Sequence, residues 1–427
     1  MNKNDFPNVL VISHNVFSKT VNVGRFLSDT FNEWPKERLS QLYFYDETPT
    51  TTICERYFKI TDKDVLYSLV TFKRSCGKEL TKDDIDLSLE DSISKDFDKS
   101  RLFKFKKKHK TISRLLRDLV WSFGKWKTAE LNTWVDNCKP DVIYIVMSDY
   151  CFPTKVAWYL SRKHNIPIYT SFEDDFYFSA NPHNVIEWLL SKKHKRLTRK
   201  VFKRSFGVSY ASEVMKSLYE STFKKKGIIQ YKSVTVSSDV APQNEHLRLL
   251  YAGTFNFHRW RSLIEIGKAI EPYDAKLILF SNNKDEEITK ELEKYHSIDY
   301  RGFASSEQIE KEIRASNILL VVESFDEESI ARVKCSLSTK IADYLGANRC
   351  ILAYGPVSVG SIDYLLKNEA AIVADESSLS EAINQIVSDP VKIDHTIENA
   401  KQLAIKNHDA KKIALLLKSE LIKGIGL

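Results

Sequence analysis

Residues 247–263, LRLLYAGTFNFHRWRSL, carry the pattern that decides the fold. The apolar run Leu247–Ala252 has the length and composition of a strand buried in a parallel sheet, and Gly253 follows it directly. Further short apolar runs come after it, separated by segments of helical period, at residues 275–281, 298–301, 318–322, 350–353 and 371–373. Strands that alternate with helices predict a parallel sheet, and six strands of this kind make a complete Rossmann-like domain.

The first half of the chain shows the same alternation in a less regular form. Its apolar runs lie at residues 9–13, 42–45, 142–147 and 166–172. Between them, residues 111–135 place Leu115, Leu119, Trp126 and Trp134 among arginines and lysines at roughly helical spacing, which predicts one long amphipathic helix. Such a helix packs against the first sheet or lies on anionic lipid, and the pattern favours packing.

The length of the chain suits two domains. With 427 residues and 43% hydrophobic content, it can bury more than one core. The polar segment 237–245 has the composition of a linker, so we predict a first Rossmann-like domain over residues 1–240 and a second over 241–395. Residues 396–427 form a helical segment expected to pack back toward the first domain. The predicted fold is therefore α/β, with two Rossmann-like domains facing across a cleft.

Composition and charge limit the classes of protein to which this chain can belong. The sequence has no apolar stretch near the roughly 20 residues that a membrane span needs, and its start does not read as a secretion signal. Six cysteines without CxxC spacing indicate free thiols in a reducing cytosol. The net charge of +7 is concentrated in basic runs, at residues 104–110, 192–204 and 224–226.

These basic runs suit either solvated helix faces or contact with phosphates, including those of an anionic membrane or a lipid diphosphate. No recognisable nucleic-acid module accompanies them, so nucleic-acid binding remains a minor alternative that a steep salt dependence would reveal. We expect a cytoplasmic protein that can contact the inner face of the cell membrane, and no nucleic-acid partner.

Candidate binding residues follow the predicted strands of the second domain, where open α/β sheets bind ligands. Gly253 and Thr254 follow the first strand, with Arg259 shortly after, while Gly302 and Phe303 follow the third. Glycine lets a ligand approach the backbone, a guanidinium suits an anion, and an aromatic ring suits a flat base. The GxGxxG dinucleotide fingerprint is absent from the sequence.

A second group of candidates stands where a helix is predicted to begin. Ser338 or Thr339 can cap this helix, its free N–H groups offer a seat for a diphosphate, and Lys340 adds a full charge. Asp343 lies one turn further, where its two oxygens suit the two hydroxyls of a ribose. The alternative for Lys340 and Asp343 is a surface ion pair.

These residues resemble the donor domain of bacterial glycosyltransferase family 4, the retaining GT-B enzymes of capsule and O-antigen assembly. The likeness is carried by residues 249–253, 259–263, 338–345 and 351–356, and in the first half by residues 9–15, 18–20 and 34–44. It implies that Arg259 and Lys340 neutralise the diphosphate of a nucleotide sugar, with a UDP-sugar favoured, and that Asp343 binds the ribose. It also implies metal-independent transfer, with retention and no cofactor, to a glycan or lipid-linked saccharide acceptor.

The family's paired-glutamate motif is broken in this chain. Its first acid stands at a fixed spacing before the second, and counting back from Asp343 reaches Cys335. Glu323 is the nearest substitute, with a longer loop, and is therefore the third candidate catalytic residue beside Arg259 and Lys340. The departure leaves two alternatives open, namely a noncatalytic homologue that acts as a partner protein and a nucleotide-sugar 2-epimerase.

The resemblance also suggests residues of the first domain on the acceptor side. The loop that holds Lys19, Thr20, Asn22 and Gly24 is expected to approach the acceptor and the donor phosphates. Asp174 and Asp175 follow the predicted strand 166–172, where they contact an acceptor or are simply solvated. An acidic cluster after a strand also occurs in metal-dependent GT-A glycosyltransferases, but those lack a second complete Rossmann-like domain.

Overall fold

The computed structural model describes residues 6–19, 22–71, 75–80, 84–85, 110–240, 242 and 244–426. The chain divides into two compact units. The first comprises Met1–Tyr210, Leu218–Gln230 and Ile413–Leu427, and the second comprises Ala211–Ser217 and Tyr231–Lys412. Within the described residues, no helix has both the length and the apolar content required to cross a membrane.

The first unit is built on one sheet with helices packed against it. Its strands are β1 Val9–Ser13, β2 Leu39–Tyr43, β3 Tyr57–Lys59, β4 Lys78–Leu80, β5 Val142–Val146, β6 Ile168–Phe172, β7 Ser205–Tyr210 and β8 Ile228–Ile229. They lie in the order β4-β3-β2-β1-β5-β6-β7-β8, parallel except for β4, which pairs antiparallel with β3. The helices are α1 Asn22–Thr30, α2 Asp62–Val70, α3 Lys110–Phe123, α4 Ala129–Cys138, α5 Cys151–Lys163, α6 Val185–Arg204 and α7 Glu213–Phe223.

The prediction of one helix over residues 111–135 is wrong, because the segment forms two helices, α3 and α4. Gly124 lies in the break, and a Cβ there would come within 2.1 Å of Cγ1 of Val65. Thr128 then starts α4 by accepting a hydrogen bond from the backbone N–H of Leu131. A glycine in close contact followed by a capping threonine ends one helix and begins another.

The second unit contains six parallel strands, β9 Leu247–Ala252, β10 Ala275–Phe280, β11 Ile298–Tyr300, β12 Ile318–Val322, β13 Cys350–Tyr354 and β14 Ile372–Ala374. Their order is β11-β10-β9-β12-β13-β14, the doubly wound order expected of a Rossmann-like domain. The helices are α8 Arg259–Ile270, α9 Glu286–Leu292, α10 Ser306–Ala315, α11 Glu327–Val333, α12 Lys340–Leu345, α13 Gly360–Lys367, α14 Leu379–Ser388 and α15 Pro390–Asn407. The following helix, α16 Ala410–Ile425, belongs to the first unit from Ile413 onward. Apolar clusters cover both faces of this sheet.

The chain enters the second unit earlier than residue 240. Tyr231, Val234 and Val236 are partly buried against a core cluster of the second sheet. The two valines alternate with polar residues, as expected for one side of an extended segment. At the other end of the chain, Leu417 and Leu421 of α16 lie in the core of the first unit. The last helix therefore packs with the first unit, as the sequence predicts.

Candidate functional site

The candidate site lies where the strand order of the second sheet reverses, between β9 and β12. These strands are neighbours in the sheet, yet the chain leaves β9 toward β10 and reaches β12 only after β11. Ligands of open α/β sheets bind in the crevice at such a switch point, beyond the carboxyl ends of the strands. Gly253 and Glu323 are the residues that immediately follow β9 and β12.

Arg259 and Glu323 form a bidentate ion pair at the switch point between β9 and β12. Nε of Arg259 donates to one carboxylate oxygen of Glu323 at 2.9 Å, and Nη2 donates to the other at 3.1 Å. The side chain of Glu323 is 4% exposed and that of Arg259 is 17% exposed. The backbone of Glu323 is also held, since its carbonyl accepts from the hydroxyl of Ser262 at 3.0 Å. The carboxylate and the guanidinium are therefore fixed relative to both strands.

Lys340 brings a second cation to the same crevice. Its Nζ lies 4.4 Å from the ring centroid of Tyr251, the penultimate residue of β9. The lysine side chain reaches directly over Gly253, because a Cβ on that glycine would lie 1.8 Å from Nζ. The hydroxyl of Tyr251 donates to the carbonyl of Thr254 at 2.7 Å, which orients the ring beneath the ammonium.

Burial perturbs the titration of both charged groups beside Arg259. The pKa of Lys340 is lowered to about 7, first by burial and then by the nearby charge of Arg259, while Glu323 opposes the shift. The pKa of Glu323 is raised by burial, although Arg259 and Lys340 act in the opposite direction. Two cations share one carboxylate, so the site carries an excess of positive charge whenever Lys340 is protonated. An anion would relieve that excess.

Replacing Gly253 with alanine should displace the ammonium group of Lys340 from its position without removing the side chain. The new methyl group would occupy the space of Nζ, and the flexible lysine end would move aside at little cost to folding. We expect an unfolding midpoint within about 2 °C of the native chain and an affinity for a nucleoside diphosphate that is lower by roughly tenfold. Thermal unfolding and titration calorimetry measure the two effects. The matched control adds the same methyl group to a Lys340→Ala background, where it should lower the affinity no further; an additional tenfold loss in that background would contradict the placement of Lys340.

The loop that carries Arg259 into the site has an unusual backbone. Phe257 and His258 both take left-handed conformations, with φ of 59° and 56°, directly before α8 begins at Arg259. Such values are uncommon for residues with side chains, and for a bulky residue they store strain that the surrounding fold must support. The guanidinium of Arg259 lies 5.4 Å from the ring centroid of Phe257. The loop thus fixes where Arg259 points.

The predicted helix cap is not formed in the expected way. Thr339 occupies the N-cap position of α12, but its side chain makes no capping hydrogen bond and its backbone is already helical. The N–H of Ser338 donates to the hydroxyl of Ser361 at 2.9 Å, so this donor is engaged within the fold. Since α12 has only six residues, its aligned peptide dipoles are few. Lys340 is therefore the main contribution of this segment to an anion site.

Asp343 does not pair with Lys340, which corrects the surface-pair alternative. Both of its oxygens accept from Nζ of Lys232, at 2.7 and 2.6 Å. The side chain of Lys232 is 9% exposed and that of Asp343 is 30% exposed. Because this carboxylate neutralises a largely buried cation, its first role in the structure is to anchor the segment that begins the second unit.

An Asp343→Asn variant should therefore lose stability more than nucleotide affinity. The substitution removes the carboxylate charge from a largely buried ion pair with Lys232, and we expect the second unit to lose on the order of 2 kcal/mol. Denaturant unfolding measures this change, and calorimetry with UDP measures affinity in the same preparation. Asp363→Asn, which removes an i,i+4 pair with the exposed Lys367, should cost less than about 0.5 kcal/mol. A tenfold fall in UDP affinity with native stability would instead indicate the ribose contact.

The other candidates of the second unit lie apart from this cluster. Gly302 and Phe303 follow β11, the edge strand, which is separated from β9 by β10 and hence by about 10 Å. Gly302 has a φ of 74°, and the ring of Phe303 is 66% exposed, free of the core. Thr254 is exposed beside Gly253. Because the exposed ring of Phe303 lies two strands away from Arg259 and Lys340, a ligand that contacted all three would have to be longer than a diphosphate.

In the first unit, two of the acceptor-side candidates have structural roles. A Cβ on Gly24 would lie 2.2 Å from the carbonyl oxygen of Val16, so close packing of α1 requires a glycine at this position. Asp175 is buried and accepts from the N–H groups of Tyr177, Phe178 and Ser179 and from the hydroxyl of Tyr219. It organises the loop after β6 and is neither solvated nor open to an acceptor.

The remaining acceptor-side candidates are less constrained. Lys19 is exposed, and its N–H donates to the hydroxyl of Thr50 at 3.3 Å. Asp174 is exposed in the loop after β6. Thr20 and the side chain of Asn22 lie outside the described residues. These positions remain predictions.

Three residues of the site were missed in the sequence. Tyr251 looks like one more core residue of β9, and Lys232 stands 111 residues before Asp343. Gly355 follows β13, and a Cβ there would lie 2.9 Å from Cβ of Glu323. The tyrosine and the glycine could have been found from their positions at strand ends, whereas no local signal points to Lys232.

Comparison with known proteins places this site in context. No sequence model of a protein family matches the chain, and no curated protein is detectably similar to it. Among solved structures, HepE from Anabaena in complex with UDP and glucose has a TM-score of 0.63 at 11% identity, covering 97% of this chain and 99% of that one. Sucrose-phosphate synthase from Thermosynechococcus elongatus has a TM-score of 0.61 at 11% identity, covering 96% and 97%.

A third similar structure is a glycosyltransferase from Rickettsia africae, with a TM-score of 0.60 at 11% identity over 97% of this chain and 98% of that one. The likeness spans nearly the full length of these three chains and of this one. At such low identity it establishes architecture. The chain has the α/β fold of the GT-B glycosyltransferases.

Proposed function

We propose that this protein is a glycosyltransferase that takes a sugar from a nucleoside diphosphate sugar, with UDP favoured as the nucleotide. The observation that carries the proposal is the convergence of Arg259, Glu323 and Lys340 at the strand-order switch of the second sheet. Support for UDP comes from the complex of HepE with UDP and glucose, which shares this fold. The resemblance of residues 249–253, 259–263, 338–345 and 351–356 to retaining family 4 enzymes supports the same function.

Each of the three side chains has a distinct part in the proposed reaction. When the bond between the anomeric carbon and the diphosphate breaks, negative charge develops on the departing oxygens. Glu323 forms its salt bridge with Arg259, and among the described residues none joins it to Lys340. The ammonium of Lys340, held over the ring of Tyr251, is therefore the cation that we assign to this charge. Preorganised cations in an enclosed site stabilise such a transition state strongly.

Arg259 and Glu323 form the fixed part of the site. Their ion pair holds the carboxylate beside the place proposed for the diphosphate, where it can accept hydrogen bonds from sugar hydroxyls. Arg259 adds a second positive charge at the end of β12. We further propose metal-independent transfer with retention, onto a polyprenyl-diphosphate-linked glycan of cell-surface polysaccharide synthesis in the cytoplasm, in line with family 4 enzymes.

The proposed function is tested first by binding and then by transfer. Calorimetry with UDP, GDP, ADP and CMP conjugates should single out one nucleotide, and the matching nucleotide sugar is then supplied with polyprenyl-diphosphate saccharides. Mass spectrometry should show one added sugar, and NMR should show retained anomeric configuration. Binding without transfer would favour a noncatalytic partner protein. A changed donor with no acceptor present would favour a 2-epimerase, and failure to bind any nucleotide would reject the proposal.

Nucleotide affinity should depend on pH through Lys340. Burial lowers the pKa of this amine to about 7, and a bound diphosphate would raise it. Binding is therefore at full strength below pH 7 and weakens as pH rises, by up to about tenfold per pH unit until the pKa of the complex is reached. Calorimetry between pH 6 and 9, in buffers of different ionisation enthalpy, should also show proton uptake. A Lys340→Met variant should bind weakly with a flat profile; an equally steep profile in that variant would assign the effect to another group.

A further inference from the structure

The helix α3 has an apolar face that is exposed as well as one that is buried. Its inward side carries the buried Trp121, Arg117, which pairs with Asp62 at 2.9 Å, and Arg114, whose Nη2 donates to the carbonyl of Asp149 at 2.8 Å. Its outward side is apolar and exposed, with Ile112, Leu116, Leu119 and Phe123 exposed by 44%, 50%, 42% and 72%. These four positions follow the three-to-four spacing of one helical face. A surface helix normally turns such a face toward the core.

The neighbouring helix α6 continues this surface and adds charge to it. The two helices are joined by an ion pair of Asp118 with Lys193 and by a hydrogen bond of Thr111 with Glu187. The beginning of α6 exposes Val185, Trp188 and Leu189 by 72%, 45% and 55%. The rest of the same helix exposes Lys192, Arg196, Arg199 and Lys203. Apolar side chains therefore adjoin a row of cations.

We propose that the outward faces of α3 and α6, defined by these apolar and basic side chains, dock the protein on an anionic lipid bilayer. An interfacial helix buries its apolar face at the boundary of the acyl chains, while lysine and arginine meet the lipid phosphates. Both requirements are met side by side here. A second copy of the chain is a poorer occupant, because it would bring the same cations and the same net charge of +7.

Trp188 supplies an optical probe of this surface. It is 45% exposed, and Nζ of Lys192 lies 3.6 Å from its ring centroid. By contrast, Trp34, Trp121, Trp126 and Trp134 are buried, and Trp158 and Trp260 are partly buried, so the difference from a Trp188→Phe variant isolates the emission of Trp188. Docking should move the emission of Trp188 to shorter wavelength, and lipids with brominated chains should quench it. This signal reports insertion of the ring and does not depend on nucleotide binding or transfer.

The test uses the full chain and vesicles of phosphatidylcholine with or without phosphatidylglycerol, at low and high salt. We expect binding only to the anionic vesicles at low salt. Leu116→Glu with Phe123→Glu should lower partitioning by more than tenfold, and Lys192→Glu with Arg196→Glu by roughly fivefold per cation. Val387→Glu with Val391→Glu is the matched control, because these valines are exposed by 48% and 76% in the second unit.

Since all the altered side chains are exposed, the variants should keep the native unfolding curve, which circular dichroism checks. Absence of vesicle binding by the native chain at low salt overturns the proposal. So does binding that survives both pairs of substitutions, or binding without any change in Trp188 emission. If light scattering shows a dimer that Leu116→Glu with Phe123→Glu disrupts, the surface joins two copies and lipid docking is rejected. None of these outcomes depends on whether the protein transfers sugar.

Discussion

Lys340→Ala should lower the rate of sugar transfer by roughly 100-fold at saturating donor and acceptor. The amine is the cation that we expect to move onto the departing diphosphate, and no other lysine lies over Gly253 among the described residues. Steady-state kinetics with the nucleotide sugar found in the binding screen measures the effect. Lys311→Ala is the matched control, because this exposed lysine pairs with Glu307 one turn away and should leave the rate unchanged.

The same substitution should not harm folding. Burial lowers the pKa of Lys340 to about 7, which shows that the folded protein holds this charge at a cost. Its removal should leave the unfolding midpoint unchanged or slightly higher. A variant that turns over within threefold of the native rate would contradict the donor-site assignment. A variant that is slow because it unfolds would contradict the account of its burial.

Arg259→Ala should affect stability as well as catalysis, and this is the largest change in stability that we expect from one substitution in the site. It leaves the carboxylate of Glu323, which is 4% exposed, without its guanidinium partner. Breaking a buried ion pair from one side typically costs about 3 to 5 kcal/mol. Denaturant unfolding, with each unit followed separately, measures the loss. Arg332→Ala, which breaks an exposed pair with Glu328, should cost less than about 1 kcal/mol.

A double variant separates the two roles of Arg259. Replacing both Arg259 and Glu323 with methionine removes both charges together, so most of the stability should return. Transfer activity should not return, because the diphosphate would still lack one fixed cation and the sugar would lack the carboxylate. Restored activity in the double variant would mean that the pair is only structural. Equal stability losses in single and double variants would mean that the two side chains are not coupled.

Much of the second sheet could be predicted, because each of its strands is a short apolar run between polar segments. Every strand predicted there is present, with boundaries shifted by at most two residues. In the first unit, β7 was missed because its sequence SFGVSY has no apolar run. Its Gly207 packs on the ring of Tyr169 in β6, so pairing across the sheet makes it a strand. The edge strand β4, KEL, was missed for the same reason.

The candidate site, like the fold, could be predicted only in part from the sequence. Arg259, Glu323 and Lys340 could be named because each stands at the end of a predicted strand or the start of a predicted helix. Their mutual geometry could not, since a sequence does not reveal whether two cations will share a carboxylate or stand apart. Asp343 illustrates the limit, because its helical neighbour Lys340 turns away and Lys232, far along the chain, takes its place. Sequence spacing suggests which charged side chains could pair, but the pairs that form depend on which of them the fold buries together.

The placement of Leu417 and Leu421 in the core of the first unit affects the order in which the protein can mature on the ribosome. The segment of the second unit from Tyr231 to Lys412 is translated before either leucine exists. Nascent proteins usually complete their amino-terminal domain first. In this protein the second unit is fully translated before the first, because the first unit also needs residues of α16. The amino-terminal sheet therefore keeps part of its apolar surface uncovered until α16 has been translated.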